Sequence, residues 1–210
     1  MKSHWRKLAA LLPLELEKKV YRSYYQSMHD EWAKGEKKFP PPHLLKQELL
    51  KQYAQQNHLS VLVETGTYLG DMVYAMQDQF KQIYSIELSP HFYQRAVQRF
   101  RKVENVKIIE GDSGKVLAHL VPQLTGPALF WLDGHYSGGQ TAKGDKECPI
   151  YEELNSIFAS SWGHTILIDD ARLFVGENDY PTIDELESFV LTKKQQAAFE
   201  LKNDSIAITY

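Results

Sequence analysis

Several short apolar runs of the chain end in acidic residues: Glu64, Glu87, Asp133 and the pair Asp169-Asp170. Such runs predict buried strands of a parallel sheet that is covered on both faces. In open α/β sheets, ligands bind outside the carboxyl ends of the strands, where these acids would come together. One acid alone could be a helix cap or a solvated loop residue. The series predicts a binding site.

The first acid begins the segment Glu64-Thr-Gly-Thr-Tyr-Leu-Gly70, which predicts a glycine turn between a strand and a helix. Its glycines allow the backbone to approach a ligand, and a helix N-terminus offers unpaired N–H groups to an anion. A dinucleotide loop has glycine where Glu64 stands, because it holds a pyrophosphate. A carboxylate repels a pyrophosphate and attracts an ammonium. The loop therefore suits a zwitterion such as the methionine end of S-adenosylmethionine.

From about Leu44 to Tyr210 the chain resembles the class I S-adenosylmethionine-dependent methyltransferases. Glu64–Gly70 matches their E/D-x-G-x-x-x-G loop, Glu87 their second-strand acid and Gly111-Asp112-Ser113 their third-strand turn. More loosely, the segments Trp131-Leu-Asp-Gly-His-Tyr-Ser-Gly-Gly139 and Leu167-Ile-Asp-Asp170 resemble the metal-dependent sugar O-methyltransferases. Those enzymes carry an acid after the fourth strand and an Asp-Asp pair after the fifth.

The resemblance implies a doubly wound, mostly parallel seven-stranded sheet of the Rossmann-like methyltransferase type. A C-terminal antiparallel hairpin would close the sheet, and an N-terminal helical extension, residues 1–43, would precede the domain at 44–210. Glu87 would accept hydrogen bonds from the ribose hydroxyls, and the third-strand turn would meet the adenine edge. The predicted contacts of S-adenosylmethionine are Glu64, Thr65, Gly66, Thr67, Tyr68, Gly70, Asp71, Glu87, Leu88, Gly111, Asp112, Ser113, Asp133, Gly134 and His135.

The predicted reaction is O-methylation of a small molecule or a sugar, whose hydroxyl must lose its proton. His135, two residues past Asp133, is the predicted general base, with Asp133 as the second catalytic residue. Asp133, Asp169 and Asp170 offer hard oxygen ligands for Mg²⁺, which we treat as optional. The metal-dependent sugar enzymes tend to carry an acid where His135 stands. Simpler roles remain open: His135 bonding backbone in a turn, and Asp170 pairing with Arg172.

Two other classes of function remain open. The chain could be an idle cofactor-binding module, because a fold does not fix a function. It could be a nicotinamide-dependent oxidoreductase, although Glu64 argues against a pyrophosphate in the loop. A nucleic-acid substrate is disfavoured, since the net charge is −3 without a basic block. Asp133-Gly-His-Tyr136 also stands where a base-holding Asn/Asp-Pro-Pro-Tyr motif would be.

Other features predict a cytoplasmic protein without membrane insertion. The single Cys148 excludes an intramolecular disulfide, and we interpret it as a plain thiol. Pro13 and Glu15 interrupt the apolar start of the chain, so we interpret it as an amphipathic helix rather than a signal peptide. The N-terminal helices are candidates for a homodimer contact. We interpret Glu152 and Glu153 as acids that stabilise the start of a helix.

Overall fold

The structure is a computed structural model that describes residue 12 and residues 14–134 and 148–210. The chain divides into two compact units, Met1–Leu49 and Leu50–Tyr210. The second unit contains the sheet and every described residue of the predicted site.

A seven-stranded sheet forms the centre of the second unit, in the order β3-β2-β1-β4-β5-β7-β6. The strands from β3 to β5 pair in parallel, and β7 joins β5 and β6 in antiparallel fashion. The predicted fold class is confirmed. The strands are β1 Val61–Thr65, β2 Gln82–Glu87, β3 Val106–Glu110, β4 Leu129–Leu132, β5 Thr165–Ile168, β6 Ala198–Lys202 and β7 Ser205–Thr209.

The central strands owe their position to continuous apolar sequence. Every residue of β4 and β5 is buried, as expected for parallel strands that helices cover on both faces. The chain runs from β1 outward to β3 and then returns to form β4 on the other side of β1. The loops after β1 and β4 therefore leave the sheet side by side and in opposite senses. In open α/β sheets this point is where ligands bind.

Seven α-helices accompany the sheet within the described residues. The helix after the glycine loop ends at Met76, and the Asn105 side chain donates hydrogen bonds to the carbonyls of Gln77 and Phe80 just beyond it, each at 2.8 Å. The helix after β3 begins at Ser113, where the Asp112 side chain caps it. The helices are α1 Leu14–Lys34, α2 His43–Gln56, α3 Asp71–Met76, α4 Pro90–Phe100, α5 Ser113–Leu120, α6 Ile150–Phe158 and α7 Ile183–Lys193.

The first unit contains α1 and the start of α2. Tyr21 and Tyr25 of α1 are buried, and the ring of Tyr25 stacks on His43 with centroids 4.8 Å apart. Among the described residues, no helix combines the length and the apolar character that crossing a membrane requires.

Candidate functional site

The loops after β1 and β4 touch through their backbones. Gly66 adopts a φ of 84°, and a Cβ built on it would lie 2.4 Å from the carbonyl oxygen of Asp133. Any side chain at this position would therefore clash with the neighbouring loop as well as strain the backbone. Thr65 joins the two loops, because its carbonyl accepts from the Asp133 N–H at 3.2 Å and its hydroxyl from the Gly134 N–H at 3.2 Å.

Glu64 lies at the end of β1 and is only 2% exposed. The Ser85 hydroxyl of β2 donates a hydrogen bond to its carboxylate, and that hydroxyl also contacts the Thr67 hydroxyl at 2.6 Å. Burial raises the pKa of Glu64 to about 8; Ser85 opposes this rise, while the charges of Glu87 and Asp71 add to it. An acid in this state has no cationic partner among the described residues and would gain one from a bound ammonium.

Glu87, the acid that ends β2, is also buried. Its carboxylate accepts from the Tyr68 N–H at 2.7 Å and from the Ser89 N–H at 2.8 Å. It therefore holds the glycine loop and the start of α4 in place. A carboxylate has about four acceptor sites, so it keeps capacity for ribose hydroxyls as well.

Arg99 of α4 fixes the far end of the glycine loop. Its guanidinium donates to the Leu69 carbonyl and to the Asp71 carboxylate, the latter at 3.0 Å, and lies over the Tyr74 ring at 4.9 Å. The sequence did not indicate this role, because Arg99 is separated from the loop by a complete strand. The regular spacing of apolar residues in α4 identifies which face of the helix is buried. It does not identify which arginine of the helix contacts the glycine loop.

The turn after β3 makes hydrogen bonds that stabilise the fold. Gly111 has a φ of 142°, and its N–H donates to the Glu87 carbonyl at 2.9 Å, which ties the turn to β2. Asp112 accepts from the Gly114 N–H at 3.0 Å and lies 3.5 Å from the Lys115 ammonium. If Asp112 contacts adenine as predicted, it must use the lone pairs of its carboxylate that the bond to the Gly114 N–H does not occupy.

Three aspartates gather at the ends of β4 and β5. One carboxylate oxygen each of Asp133, Asp169 and Asp170 lies within 4.8 Å of the other two. Asp169 is completely buried, whereas the other two are partly accessible. Three hard oxygen donors at this spacing fit a single divalent cation such as Mg²⁺.

A protein cation already contacts this aspartate cluster, which we define as Asp133, Asp169 and Asp170. The Arg172 guanidinium donates to the Asp170 carboxylate at 2.9 Å and also to the Asp204 carboxylate in the β6–β7 turn. Asp170 has a positive φ of 54°, a conformation that aspartate tolerates better than most residues. The pairing of Asp170 with Arg172, which the sequence had left open, is therefore formed.

Glu153, in the first turn of α6, is a further buried acid at this edge of the sheet. It is 0% exposed, and neither of its carboxylate oxygens has a hydrogen-bond partner of acceptable geometry among the described residues. Burial raises the pKa of Glu153 to about 7; the Ser113 and Thr65 hydroxyls oppose the rise, and Asp112 and Glu152 add to it. Both hydroxyls thus lie close by without completing a hydrogen bond to the carboxylate.

The arrangement of this sheet is shared with solved methyltransferase structures. The O-methyltransferase TomG of Streptomyces achromogenes, involved in tomaymycin synthesis and crystallised with S-adenosylmethionine, is 15% identical to the chain. It superposes with a TM-score of 0.59 over 90% of this chain and 88% of its own. The methyltransferase PaMTH1 of Podospora anserina, with S-adenosylhomocysteine bound, is 18% identical. Its TM-score is 0.58 over 88% of this chain and 86% of its own.

The chain has the class I methyltransferase fold. The resemblance that the sequence motifs indicated is therefore confirmed at the level of structure. No protein-family model matches the chain, and no curated protein matches it by sequence.

Most of the predicted cofactor contacts occupy the edge of the sheet where this fold places its ligand site. Glu64 to Asp71 form the loop after β1, Glu87 and the half-buried Leu88 follow β2, Gly111 to Ser113 follow β3, and Asp133 and Gly134 follow β4. His135 lies outside the described residues, so its predicted role as general base stays a prediction. Cys148 is buried, and burial raises the pKa of its thiol to about 12, as suits an unreactive packed thiol.

Proposed function

We propose that the protein is an S-adenosylmethionine-dependent methyltransferase whose acceptor is a hydroxyl group of a small molecule or a sugar. The observation that carries the proposal is the buried Glu64 beside the glycine loop, at the point where β1 and β4 separate. A bound ammonium group would give this carboxyl the cationic partner that the described part of the chain does not supply. A pyrophosphate in the same place would keep Glu64 protonated and would gain no positive charge from it, which disfavours a nicotinamide dinucleotide.

The bound cofactor would be held at both of its ends. Glu64 would accept from the ammonium of the methionine part, and Glu87 would accept from the ribose hydroxyls while it keeps its two backbone donors. Tyr68, which is 47% exposed and packs edge-on against Phe92 with ring centroids 4.8 Å apart, stands between these two acids in the chain. The contacts of the loop with Arg99 fix it before the ligand arrives, so little ordering is needed on binding.

The reaction itself is a displacement at the methyl carbon. The acceptor oxygen forms a bond to this carbon as the bond from carbon to sulfur breaks, and the sulfonium leaves as a neutral thioether. The hydroxyl proton passes to a base, for which His135 remains our candidate. Holding oxygen, carbon and sulfur in line lowers the activation free energy by roughly 7–11 kcal/mol in such reactions.

The aspartate cluster lies next to this reaction site through Asp133. If it takes Mg²⁺, Asp133, Asp169 and Asp170 hold the ion, and the ion acidifies a bound hydroxyl or diol. Asp170 must then exchange its contact with Arg172 for the metal. Without an ion, Arg172 neutralises part of the cluster, and the Asp133 carboxylate orients an acceptor hydroxyl by accepting a hydrogen bond from it.

Titration calorimetry with S-adenosylmethionine, S-adenosylhomocysteine and NAD⁺ tests the cofactor. Binding of the first two, reduced strongly in Glu64→Ala, is the expected result, and preference for NAD⁺ would favour an oxidoreductase. Turnover is then measured over a panel of phenols, catechols and sugars, with chelator and with added Mg²⁺. Cofactor binding without turnover on any acceptor would favour the idle binding module.

A further inference from the structure

Glu153 is a carboxyl group in a place where an apolar side chain would be expected. Its neighbours in α6, Ile150, Leu154 and Ile157, are all fully buried and belong to the main core. None of the groups that shift its pKa is basic: Asp112 precedes α5, and Glu152 shares its own helix. The thiol of Cys148, just before α6, is also close enough to feel its charge. The described structure therefore gives an ionised Glu153 no counter-ion.

The surroundings of Glu153 fit a neutral carboxylic acid instead. The two polar groups beside it, the hydroxyls of Thr65 and Ser113, can each donate or accept a hydrogen bond. A neutral acid has one donor and one acceptor, so it can serve both hydroxyls. An ionised carboxylate buried without a counter-ion is far more costly, and such a group takes up a proton.

Thr65 and Ser113 connect this acid to the edge of the sheet. The Thr65 hydroxyl accepts from the Gly134 N–H, and a Cβ built on Gly134 would lie 3.0 Å from that hydroxyl and 3.5 Å from the Ser113 hydroxyl. Any side chain at position 134 would therefore crowd both hydroxyls. The same backbone, at Asp133, is what closes against Gly66. A group that orients Thr65 therefore sets the gap between the loops after β1 and β4.

We infer that Glu153 is a positioning residue that acts as a neutral carboxylic acid, linking Ser113 and Thr65 and, through Thr65, holding Gly134 against the loop at Gly66. Small shifts of the Thr65 and Ser113 hydroxyls towards the acid would complete a chain of hydrogen bonds from the Gly134 N–H through Thr65 and Glu153 to Ser113. Of these four residues, only Glu153 is not a predicted contact of the cofactor, so Glu153 would act through the other three. The part of the inference that concerns cofactor affinity rests on the proposed function.

The protonation is tested without any ligand, by infrared spectroscopy of the unliganded protein at about pH 6, where exposed carboxyls are ionised. Protonated buried acids give a separate carbonyl band under these conditions. Glu153→Gln should remove one component of the band and Glu64→Gln another. Glu185→Gln, a change in an exposed acid of α7 whose pKa is lowered by its hydrogen bonds with Thr182, should remove none. An unchanged band in Glu153→Gln would overturn the inference.

The positioning role is tested by the affinity for S-adenosylhomocysteine. Glu153→Gln keeps a donor and an acceptor and should bind within about twofold of the wild type, whereas Glu153→Leu should bind about tenfold more weakly. In a Thr65→Val background, the same Leu substitution should have little further effect, because the link is already broken. Wild-type affinity in Glu153→Leu, or equal losses in the Gln and Leu variants, would overturn the role. If the wild type bound no cofactor, the proposed function would fail, and the infrared result would still decide the protonation.

Discussion

The Arg172 guanidinium donates a hydrogen bond of 2.9 Å to the Asp170 carboxylate, and so places a protein cation on the aspartate cluster. Asp204 in the β6–β7 turn holds the same guanidinium from the other side. A divalent ion bound to the cluster would therefore compete with Arg172 for one carboxylate. The C-terminal hairpin, far from the glycine loop in sequence, would then take part in setting the affinity of the cluster for a metal.

Replacing Arg172 with glutamine should tighten the binding of Mn²⁺, used as a spectroscopic substitute for Mg²⁺. The ion pair is partly exposed, so its removal should give about fivefold higher affinity, equivalent to about 1 kcal/mol. Electron paramagnetic resonance of free Mn²⁺ measures the change. Arg101→Gln, an exposed arginine just after α4, is the control and should have no effect. Equal Mn²⁺ affinities in the wild type and Arg172→Gln would contradict the competition.

Glu87→Ala should weaken the binding of S-adenosylhomocysteine by about 1–3 kcal/mol, because ribose hydroxyls and two backbone N–H groups lose their acceptor. Glu87→Gln keeps one carbonyl acceptor and should lose less. Calorimetry measures the affinities, and the unfolding temperatures of the unliganded variants separate the loss of loop contacts from the loss of ligand contacts. Unchanged affinity in Glu87→Ala would rule out the ribose contact.

Gly66→Ala should abolish cofactor binding, because the new Cβ would meet the Asp133 carbonyl oxygen at 2.4 Å and the φ of 84° strains any side chain. The positive φ alone costs roughly 1–2 kcal/mol, and the displaced backbone of the second loop adds to it. The matched control is Gly126→Ala, since a Cβ on Gly126 meets nothing within 4 Å. If both variants bound the cofactor equally well, the close approach of the two loops would not be needed for binding.

His164 gives the fold a dependence on pH that is separate from the ligand site. Its Nδ1 accepts from the buried Ala128 N–H at 3.1 Å, and burial, helped by the charge of Lys194, lowers its pKa to about 4. Unfolded histidine binds a proton near pH 6.5, so its contribution to stability is present above that pH and is lost as the pH falls towards 4. The full loss is at most about 3 kcal/mol.

The measurement for His164 is the difference in unfolding free energy between the wild type and His164→Asn, followed by urea denaturation across this range of pH. Asparagine offers an acceptor near the position of Nδ1 and does not titrate. The advantage of the wild type should shrink as the pH is lowered. If the difference in unfolding free energy did not change with pH, the pKa of His164 would be the same in the folded and the unfolded protein. That result would contradict the prediction.

The sequence predicted the parts of this protein that depend on local pattern. Apolar runs that end in acids located β1, β2, β4 and β5, and the glycine spacing with Glu64 located the turn where β1 and β4 separate. The sequence could not predict the hydrogen bonds of Arg99 and Asn105 to segments more than twenty residues away. Local periodicity does not specify which side chains of different elements meet. Glu153 shows the same limit, since an acid in the first turn of a helix is ordinarily solvated.

The pKa of about 8 for Glu64 predicts that cofactor binding is linked to proton release. In the unliganded protein at neutral pH the carboxyl holds its proton. A bound ammonium favours the carboxylate and lowers the pKa, so binding releases up to one proton at a pH below about 8. Affinity should therefore rise as the pH increases towards 8, by at most about tenfold per pH unit, and then level off.

Calorimetry of S-adenosylhomocysteine binding in buffers of different ionisation enthalpy counts the protons released by this step. The wild type should release close to one proton at neutral pH, and Glu64→Gln should release almost none and bind more weakly at pH about 8. Glu153→Gln is the control, because it changes the other buried acid, which is not a predicted contact of the ligand. Binding to this variant should still release close to one proton, from Glu64. Release of the same number of protons by the wild type and Glu64→Gln would show that Glu64 does not meet the ammonium, and would remove the observation on which the proposed cofactor rests.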